Sequence, residues 1–382
     1  MLFFGLISYS ALALTEFLNQ TLVYIYFGLC VRYEILYMKN RFALSFGIEL
    51  PIVCPGMSWI AVPELVAAVS AAGGLGILAT GPLTAEQTRA AIRRVRELTD
   101  KPFGIGCTLM MPGAKENAEV ALEEKVPVIN FSLGKGDWIV RAAHAYGGKV
   151  IATVVTEKHA LSAERIGCDA VLVTGHEAAA HGGDVTSLVL VPAIARAVKI
   201  PVIAAGGFSD GRSLVAALAL GADAVAMGTR FAMTRESPLH VSAKQAVADK
   251  TVADTLYSKN FDGIHCRVMK TPLSQRLMRK PMGLFSALFN ALRVAGQLDV
   301  PIPKLLLGTL VKGPAIMLQI AYFGAATPRF VKATEQGDLQ HGIQMIGQVQ
   351  GLIDDVPTVA ELVQRIMAEA AETRGRLAAV DG

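Results

Sequence analysis

Eight short apolar runs recur along the chain between residues 51 and 229, and stretches with helical spacing separate them. The runs are PIVCPGM (51–57), LGILAT (75–80), FGIGCTL (103–109), VPVINFS (126–132), KVIATVV (149–155), AVLVTG (170–175), PVIAAGG (201–207) and AVAMGT (224–229). Their spacing of roughly 20–30 residues suits one strand and one helix. Runs that are apolar on both faces are typical of a parallel sheet covered by helices. Eight consecutive units predict an α/β fold, a closed (β/α)8 TIM barrel, with an open doubly wound sheet as the alternative.

The regular spacing stops after the eighth run. Residues 236–334 contain predicted helices and a region rich in Met, Leu and Phe, which prolines and charged residues divide into pieces too short to span a bilayer. We therefore predict a barrel formed by residues 38–235 and 335–375. Residues 236–334 are predicted to form a helical cap, or substrate domain, inserted after strand 8. The pair Thr358 and Glu361 predicts the N-cap of a final helix that closes the barrel.

The first 37 residues differ in character from the rest. Residues 1–37 are apolar and aromatic, but Glu16, Asn19 and Gln20 interrupt them, so they do not read as a membrane span. They also lack the basic start and small-residue cleavage site of a signal peptide. We expect this extension not to be part of the native protein, which would begin at Met38. An alternative of another class is a non-catalytic, membrane-associated binding protein.

Charge and cysteine content exclude several classes of protein. The 382 residues include 36 basic and 32 acidic side chains, a balance that argues against nucleic acid as a partner. The five cysteines are scattered without a CxxC pair, which is typical of reduced thiols in a cytoplasmic protein rather than a disulfide framework or a zinc site. Cys107 is interpreted as a packing residue.

The ends of the last two runs carry small residues in strand-to-helix turns. Gly206 and Gly207 end the seventh run, and Gly228 and Thr229 end the eighth. The loops after strands 7 and 8 of such barrels commonly bind a phosphate at a helix N-terminus. The sequence therefore predicts a ligand that bears a phosphate group.

The segment GHEAAAHGGD (175–184) follows the sixth run and holds two histidines among small residues. His176 and His181 are five residues apart, which is not the spacing of an HExxH zinc motif, so we predict no metal site. His181 would lie at the barrel mouth beside the phosphate loops, where an imidazole suits proton transfer near neutral pH. The remaining histidines are interpreted as structural: His144, His159, His176, His240, His265 and His341.

Several segments resemble the nitronate monooxygenase family, formerly called 2-nitropropane dioxygenases. They are NRFALSFGIELPIVCPGMSWIAVPELVAAVSAAGGLGIL, HEAAAHGG, PVIAAGGFSDGRSLVAALALGADAVAMGTRF and GQVQGLIDDVPTVAELV, and the resemblance covers residues 41 to about 370. It implies a flavoprotein barrel that holds non-covalent FMN. The phosphate would lie on Gly206, Gly207, Gly228 and Thr229.

The resemblance also implies roles for side chains around the flavin ring. The aligned positions beside the flavin are Gly56, Met57, Thr153, Thr174 and Ala179, with Gly106 in place of the family's usual asparagine. The family's catalytic histidine falls on His181, where it positions the nitro group or takes a proton. Ala180 occupies a position where glycine is usual.

The function implied is an FMN-dependent nitronate monooxygenase, which oxidises alkyl nitronates with O₂ to carbonyl compounds and nitrite. The same scaffold is similar to NAD(P)H-dependent flavin reductases of the enoyl-acyl-carrier-protein or quinone type, which we keep as the alternative. The expected partners are a nitronate, or a quinone or enoyl thioester, together with O₂ or NAD(P)H. The apolar cap would serve as a substrate lid, as the interface of a homodimer, or as both.

Overall fold

The computed structural model describes residues 41–280 and 314–379, together with Gly283 and Phe289. The predicted N-terminal extension and part of the apolar cap region lie outside these residues. Among the helices described, none combines the length and the apolar character needed to cross a bilayer.

Eight parallel strands close into a barrel in chain order, as the sequence predicts. They are β1 (Ile52–Cys54), β2 (Leu75–Ala79), β3 (Gly104–Thr108), β4 (Val128–Ser132), β5 (Lys149–Val154), β6 (Ala170–Thr174), β7 (Val202–Ala205) and β8 (Ala224–Ala226). The barrel closes where β1 pairs with β8, with Ile52 opposite Val225. The predicted (β/α)8 barrel is thereby confirmed, and the open sheet is excluded.

Helices cover the outside of the barrel. Those between successive strands are α2 (Pro63–Ala71), α3 (Ala85–Leu98), α4 (Ala114–Glu123), α5 (Asp137–His144), α6 (Glu157–Arg165), α7 (Ser187–Ala197) and α8 (Gly211–Ala219), and α9 (Gly228–Ala232) follows β8. Strand residues are buried on both faces, which explains why the runs are continuously apolar rather than alternating.

A short helix before the first strand fills one end of the barrel. In α1 (Arg41–Phe46), Phe42 is fully buried and belongs to the same apolar cluster as Val53, Ile77 and Ile203 of the strands. The cluster fills the lumen at the amino ends of the strands. The carboxyl ends of the strands form the opposite rim, which is therefore the end of the barrel where a ligand can bind.

The segment after α9 contains helices and also a two-stranded ribbon. Its elements are α10 (Val241–Ala248), β9 (Thr255–Ser258), β10 (Cys266–Met269), α11 (Pro272–Arg279) and α12 (Pro314–Thr334). Strands β9 and β10 are antiparallel, with Cys266 opposite Ser258. The sequence predicted helices here but not this ribbon, since each strand has only four residues and neither alternates between buried and exposed positions.

The last helix, α13 (Val359–Ala378), closes the ring of helices. The predicted N-cap is confirmed, because Thr358 accepts from the backbone of Glu361 and the Glu361 side chain accepts from the backbone of Thr358. The carboxylate of Glu369 accepts a hydrogen bond of 2.9 Å from the backbone N–H of Gly211 at the start of α8. The C-terminal segment thus joins the helix that follows the predicted phosphate loop.

Candidate active site at the barrel mouth

One cavity of about 1020 Å³ lies at the carboxyl ends of the barrel strands, beneath the cap. This volume is at the upper end of the range of roughly 300–1,000 Å³ found for small-molecule and cofactor sites. Every site residue expected from the sequence lines it except Gly106, namely Gly56, Met57, Thr153, Thr174, Ala179, His181, Gly206, Gly207, Gly228 and Thr229. The fold therefore brings residues from five different strand ends to one space.

The turn after β7 has a backbone that favours glycine at two consecutive positions. Gly206 and Gly207 have φ angles of +102° and +85°, in the left-handed region where a side chain is strained. A Cβ at Gly206 would also lie 3.0 Å from Oγ of Ser187. No described residue accepts a hydrogen bond from the backbone N–H of either glycine. These features fit a cradle for an anionic group such as a phosphate.

The turn after β8 forms the other half of this cradle. The hydroxyl of Thr229 accepts a hydrogen bond of 3.0 Å from the backbone N–H of Gly347, which lies between α12 and α13. A Cβ at Gly228 would lie 3.5 Å from Sδ of Met57, which brings the loop after β1 against this turn. Gly347 was not predicted as a site residue, although its segment carried part of the family resemblance.

Gly106 lies just behind the cavity wall rather than on it. A Cβ on Gly56 would stand 3.5 Å from the Cα of Gly106, so the two glycines allow the loop after β1 to lie close to β3. The neighbouring Cys107 is 2% exposed, and burial raises the pKa of its thiol to about 11, although the Thr80 hydroxyl acts in the opposite direction. Cys107 is therefore protonated at neutral pH, which agrees with a packing role.

A polar pair lies at the ends of β4 and β5. The side-chain amide of Asn130 donates to Oγ1 of Thr153 at 3.0 Å and to the carbonyl of Ile151 at 3.1 Å. Both side chains line the cavity. Asn130 was not predicted from the sequence, because a single amide at the end of an apolar run carries no distinguishing pattern.

His181 lies in the cavity wall and contacts a carboxylate from the cap. Its Nε2 is 2.8 Å from Oδ2 of Asp262, whose side chain is fully buried, while the His181 side chain is 18% exposed. The other carboxylate oxygen, Oδ1, accepts a hydrogen bond of 3.1 Å from the backbone N–H of Ile264. The ring of Phe323 in α12 packs against the imidazole with centroids 6.0 Å apart.

Cys266 completes a buried group of three side chains. The donor atoms of His181, Asp262 and Cys266 lie within 4.8 Å of one another, close enough in principle to share a metal ion. Burial, followed by the nearby Asp262 carboxylate, raises the pKa of the Cys266 thiol far above its usual range. In its protonated form this thiol can donate a hydrogen bond to the Asp262 carboxylate.

An arginine of the ribbon holds the histidine segment in place. The guanidinium of Arg267 donates to the carbonyl of His176 at 3.0 and 2.9 Å and to the hydroxyl of Thr255 at 2.8 Å. Its side chain is buried, and burial lowers the pKa of the guanidinium from its usual value, with Glu177 acting in the opposite sense. Arg267 was not predicted from the sequence, because the histidine segment that it holds lies 91 residues away at His176.

The other histidines lie in different surroundings. His176 donates a hydrogen bond of 3.0 Å from Nδ1 to the carbonyl of Gly183, so it shapes the segment rather than facing a ligand. His144 and His341 pair with aspartates on the protein surface. His159, interpreted as structural, lines the edge of the cavity.

Backbone strain is concentrated around the cavity. Four described non-glycine residues have positive φ, and three of them line the cavity: Trp59 (63°), Leu133 (49°) and Ala180 (56°). Strained residues persist where the surrounding structure holds them, and they cluster at functional sites. This distribution supports the barrel mouth as the functional site independently of the sequence motifs.

Comparison with known proteins agrees with this geometry. A model of the nitronate monooxygenase family matches residues 40–124 and 110–369. A (3aS,4S,5R,7aS)-5-hydroxy-7a-methyl-1-oxo-octahydro-1H-indene-4-carboxyl-CoA dehydrogenase from Rhodococcus jostii is 38% identical over 334 residues, or 85% of this chain and 93% of that protein. A nitronate monooxygenase from Pseudomonas aeruginosa is 34% identical over 278 residues, or 60% of this chain and 79% of that protein.

A solved structure is similar across the barrel and the cap. FabK from Thermotoga maritima superposes with a TM-score of 0.74 at 36% sequence identity, and the alignment covers 90% of this chain and 99% of that one. The family model spans the strand ends, the histidine segment and the segment between α12 and α13, all of which line the cavity. The chain therefore belongs to the nitronate monooxygenase family and is an oxidoreductase.

Proposed function

We propose that this chain is an FMN-dependent oxidoreductase that acts on an acyl thioester, with His181 as its acid–base residue. The observation that carries the proposal is a continuous aromatic wall beside His181. Ring centroids are 6.5 Å apart from Trp59 to Phe330, 6.4 Å from Phe330 to Phe323, and 6.0 Å from Phe323 to His181. Such a wall offers an apolar surface for an acyl group, a larger surface than a small nitronate needs.

The comparisons support a thioester substrate. The Rhodococcus jostii relative is named for a carboxyl-CoA substrate, and its similarity extends over 85% of this chain, whereas that of the Pseudomonas aeruginosa enzyme extends over 60%. The part of this chain left outside the longer alignment is shorter than the cap, so that alignment includes at least some of the cap. The cap supplies Phe323, Phe330 and Asp262, so likeness in this segment bears directly on the substrate side of the cavity.

The cavity residues suit FMN as the cofactor. The backbone N–H groups of Gly206, Gly207 and Gly228 would hold its phosphate, with the Thr229 hydroxyl beside them. Gly56, Met57, Thr153, Thr174 and Ala179 would surround its ring. When bound, the flavin supplies the capacity to accept or donate electrons, and the protein supplies orientation, exclusion of water and proton transfer.

Nitronate oxidation is the second candidate. It is favoured by the family model and by the Pseudomonas aeruginosa relative at 34% identity. In that reaction His181 would face the nitro group of a small substrate, and the aromatic wall would remain uncovered. The two candidates therefore differ in whether Phe323 and Phe330 contribute to substrate binding.

An anaerobic titration of the purified protein separates them. The flavin absorbance is followed during separate additions of an acyl-CoA ester, of NADH or NADPH followed by an enoyl-CoA ester, and of propyl nitronate. Bleaching by the acyl-CoA ester, or recovery of colour by the enoyl-CoA ester after reduction, supports the thioester function and gives its direction. Bleaching by the nitronate alone would replace it with the monooxygenase, and a colourless protein that takes up no FMN would overturn both.

A further inference from the structure

The contact between His181 and Asp262 specifies how the imidazole is oriented. Asp262 is fully buried, and a buried carboxylate needs hydrogen-bond donors on both oxygens. Oδ1 receives the backbone N–H of Ile264 at 3.1 Å, and Oδ2 lies 2.8 Å from Nε2 of His181. A carboxylate only accepts hydrogen bonds, so Nε2 of His181 must carry the proton that is shared in this contact.

We propose that Asp262 is a positioning residue that holds His181 as the Nε2–H tautomer and so leaves the lone pair of Nδ1 free to take a proton from the substrate. The proposal rests on the proposed function for the identity of that proton, which is the one on the carbon next to the thioester carbonyl. Nδ1 has no hydrogen-bond partner among the described residues, while the side chain lines the cavity.

Cys266 adds a third hydrogen-bond donor beside the carboxylate of Asp262. Cys266 is fully buried beside it, and burial together with Asp262 raises the pKa of that thiol, so Cys266 stays protonated and can donate S–H to the carboxylate. Three donors then converge on one buried Asp262. Its negative charge favours a positive charge on the adjacent imidazole, which is the charge that His181 acquires when it takes a proton.

The proton-transfer step involves only the substrate and His181. The bond between the α carbon and its hydrogen breaks, a bond forms between that proton and Nδ1, and the electron pair remains on the substrate, delocalised toward the thioester carbonyl. In the reductive direction, the same nitrogen returns the proton to the α carbon. Asp262 does not exchange a proton in either direction.

The tautomer can be read directly by NMR, without turnover. Histidine labelled with ¹⁵N is incorporated into the flavin-bound protein, and the His181 signals are assigned from their loss in His181→Asn. We expect a protonated Nε2 and an unprotonated Nδ1 in the wild-type protein at neutral pH. A protonated Nδ1 with a free Nε2 would overturn the proposal. A stoichiometric zinc ion in the protein that is lost in Asp262→Asn would also overturn it, because these side chains would then bind metal.

Kinetics of Asp262→Asn separate positioning from a purely structural role. We expect kcat with an acyl-CoA ester to fall about 10²–10⁴-fold, with KM and the flavin absorbance nearly unchanged. The matched control is Asp169→Asn, since Asp169 contacts Nε2 of His144 at 2.9 Å on the outside of the barrel. That variant should keep the wild-type kcat. An Asp262→Asn enzyme with wild-type kcat would overturn the inference and leave the proposed function intact. A wild-type protein that does not react with thioesters would reject the proposed function, while the NMR result would still test the tautomer.

Discussion

Ala180 and Arg267 pair through their backbones across the boundary between the barrel and the ribbon. The N–H of Ala180 donates to the carbonyl of Arg267 at 3.1 Å, and the N–H of Arg267 donates to the carbonyl of Ala180 at 2.9 Å. The Arg267 guanidinium also holds the carbonyl of His176. One arginine thus fixes the segment on the N-terminal side of His181 through both its backbone and its side chain.

This pairing keeps Ala180 at a φ of +56°, which leads to a prediction about stability. A left-handed conformation costs a non-glycine residue about 1–2 kcal/mol, while glycine loses about 0.4–1 kcal/mol through the unfolded state. We expect Ala180→Gly to raise the free energy of unfolding by about 0–1 kcal/mol, as measured by urea denaturation. Ala178→Gly is the control and should lower it, because Ala178 has no positive φ to relieve. A loss of stability in Ala180→Gly comparable to that of the control would contradict the strain.

The phosphate cradle is tested by two glycine substitutions with similar strain. Gly207 has a φ of +85° and Gly147 a φ of +82°, but only Gly207 lines the cavity. Both alanine variants should lose about 1–2 kcal/mol of stability, since each places a Cβ in a left-handed conformation. We expect only Gly207→Ala to weaken FMN binding, measured as the flavin retained on dialysis and by titration of the apoprotein. Equal flavin loss in Gly147→Ala would indicate a general effect of destabilisation.

The role of His181 is tested by His181→Asn. The variant should remain yellow, because the predicted FMN contacts come mostly from other residues, while kcat falls about 10²–10⁴-fold with loss of the proton-transfer group. Steady-state turnover and the visible spectrum measure the two properties separately. His341→Asn, which changes a surface histidine paired with Asp338, is the control and should retain full turnover. Full activity in His181→Asn would remove the catalytic assignment.

The helix behind the phosphate cradle gives a pH prediction. Burial acts to raise the pKa of Asp210, but hydrogen bonds from Ser213 and Arg212 outweigh it and leave the pKa below its usual value. A lowered folded-state pKa stabilises the protein above the unfolded value of about 3.9. This contribution is lost as pH falls through the folded pKa.

We expect Asp210→Asn to be about 0.3–1 kcal/mol less stable than wild type at pH 7, since asparagine still caps α8 but carries no charge at the helix N-terminus. The difference should shrink as pH falls below about 4, where Asp210 of the unfolded chain takes up a proton, and disappear as pH falls through the lower pKa of the folded protein. Urea unfolding of both proteins from pH 7 to pH 3 measures it. A difference that stays constant over this range would show that the charge of Asp210 does not contribute.

The barrel was predictable because its signals are local. Eight apolar runs, the glycines of the turns after β7 and β8, and the capping pair Thr358 and Glu361 each lie within a few residues of one another. Backbone geometry, pleat and helix capping act over the same short distances, so sequence alone conveys them. The left-handed turn at Gly206 and Gly207 is the structural counterpart of the GG pair in the sequence.

The cap side of the site was not predictable for the opposite reason. Asp262 lies 81 residues from His181, and Arg267 lies 91 residues from His176. Nothing in the local pattern around Asp262 distinguishes it from an aspartate in a surface turn. Asp262 becomes buried and contacts His181 only when the ribbon packs on the barrel mouth. A single sequence therefore shows the histidine but not the residue that orients it.

The contact between His181 of the barrel and Asp262 of the inserted segment has an evolutionary consequence. If two relatives exchanged their insertions, the recipient would acquire a new substrate-binding surface. The residue that contacts the imidazole, and therefore the orientation of the imidazole, would change at the same time. If Asp262 orients His181 as proposed, a replacement of the insertion that lacks an equivalent carboxylate would lower turnover even where the new surface fits its substrate.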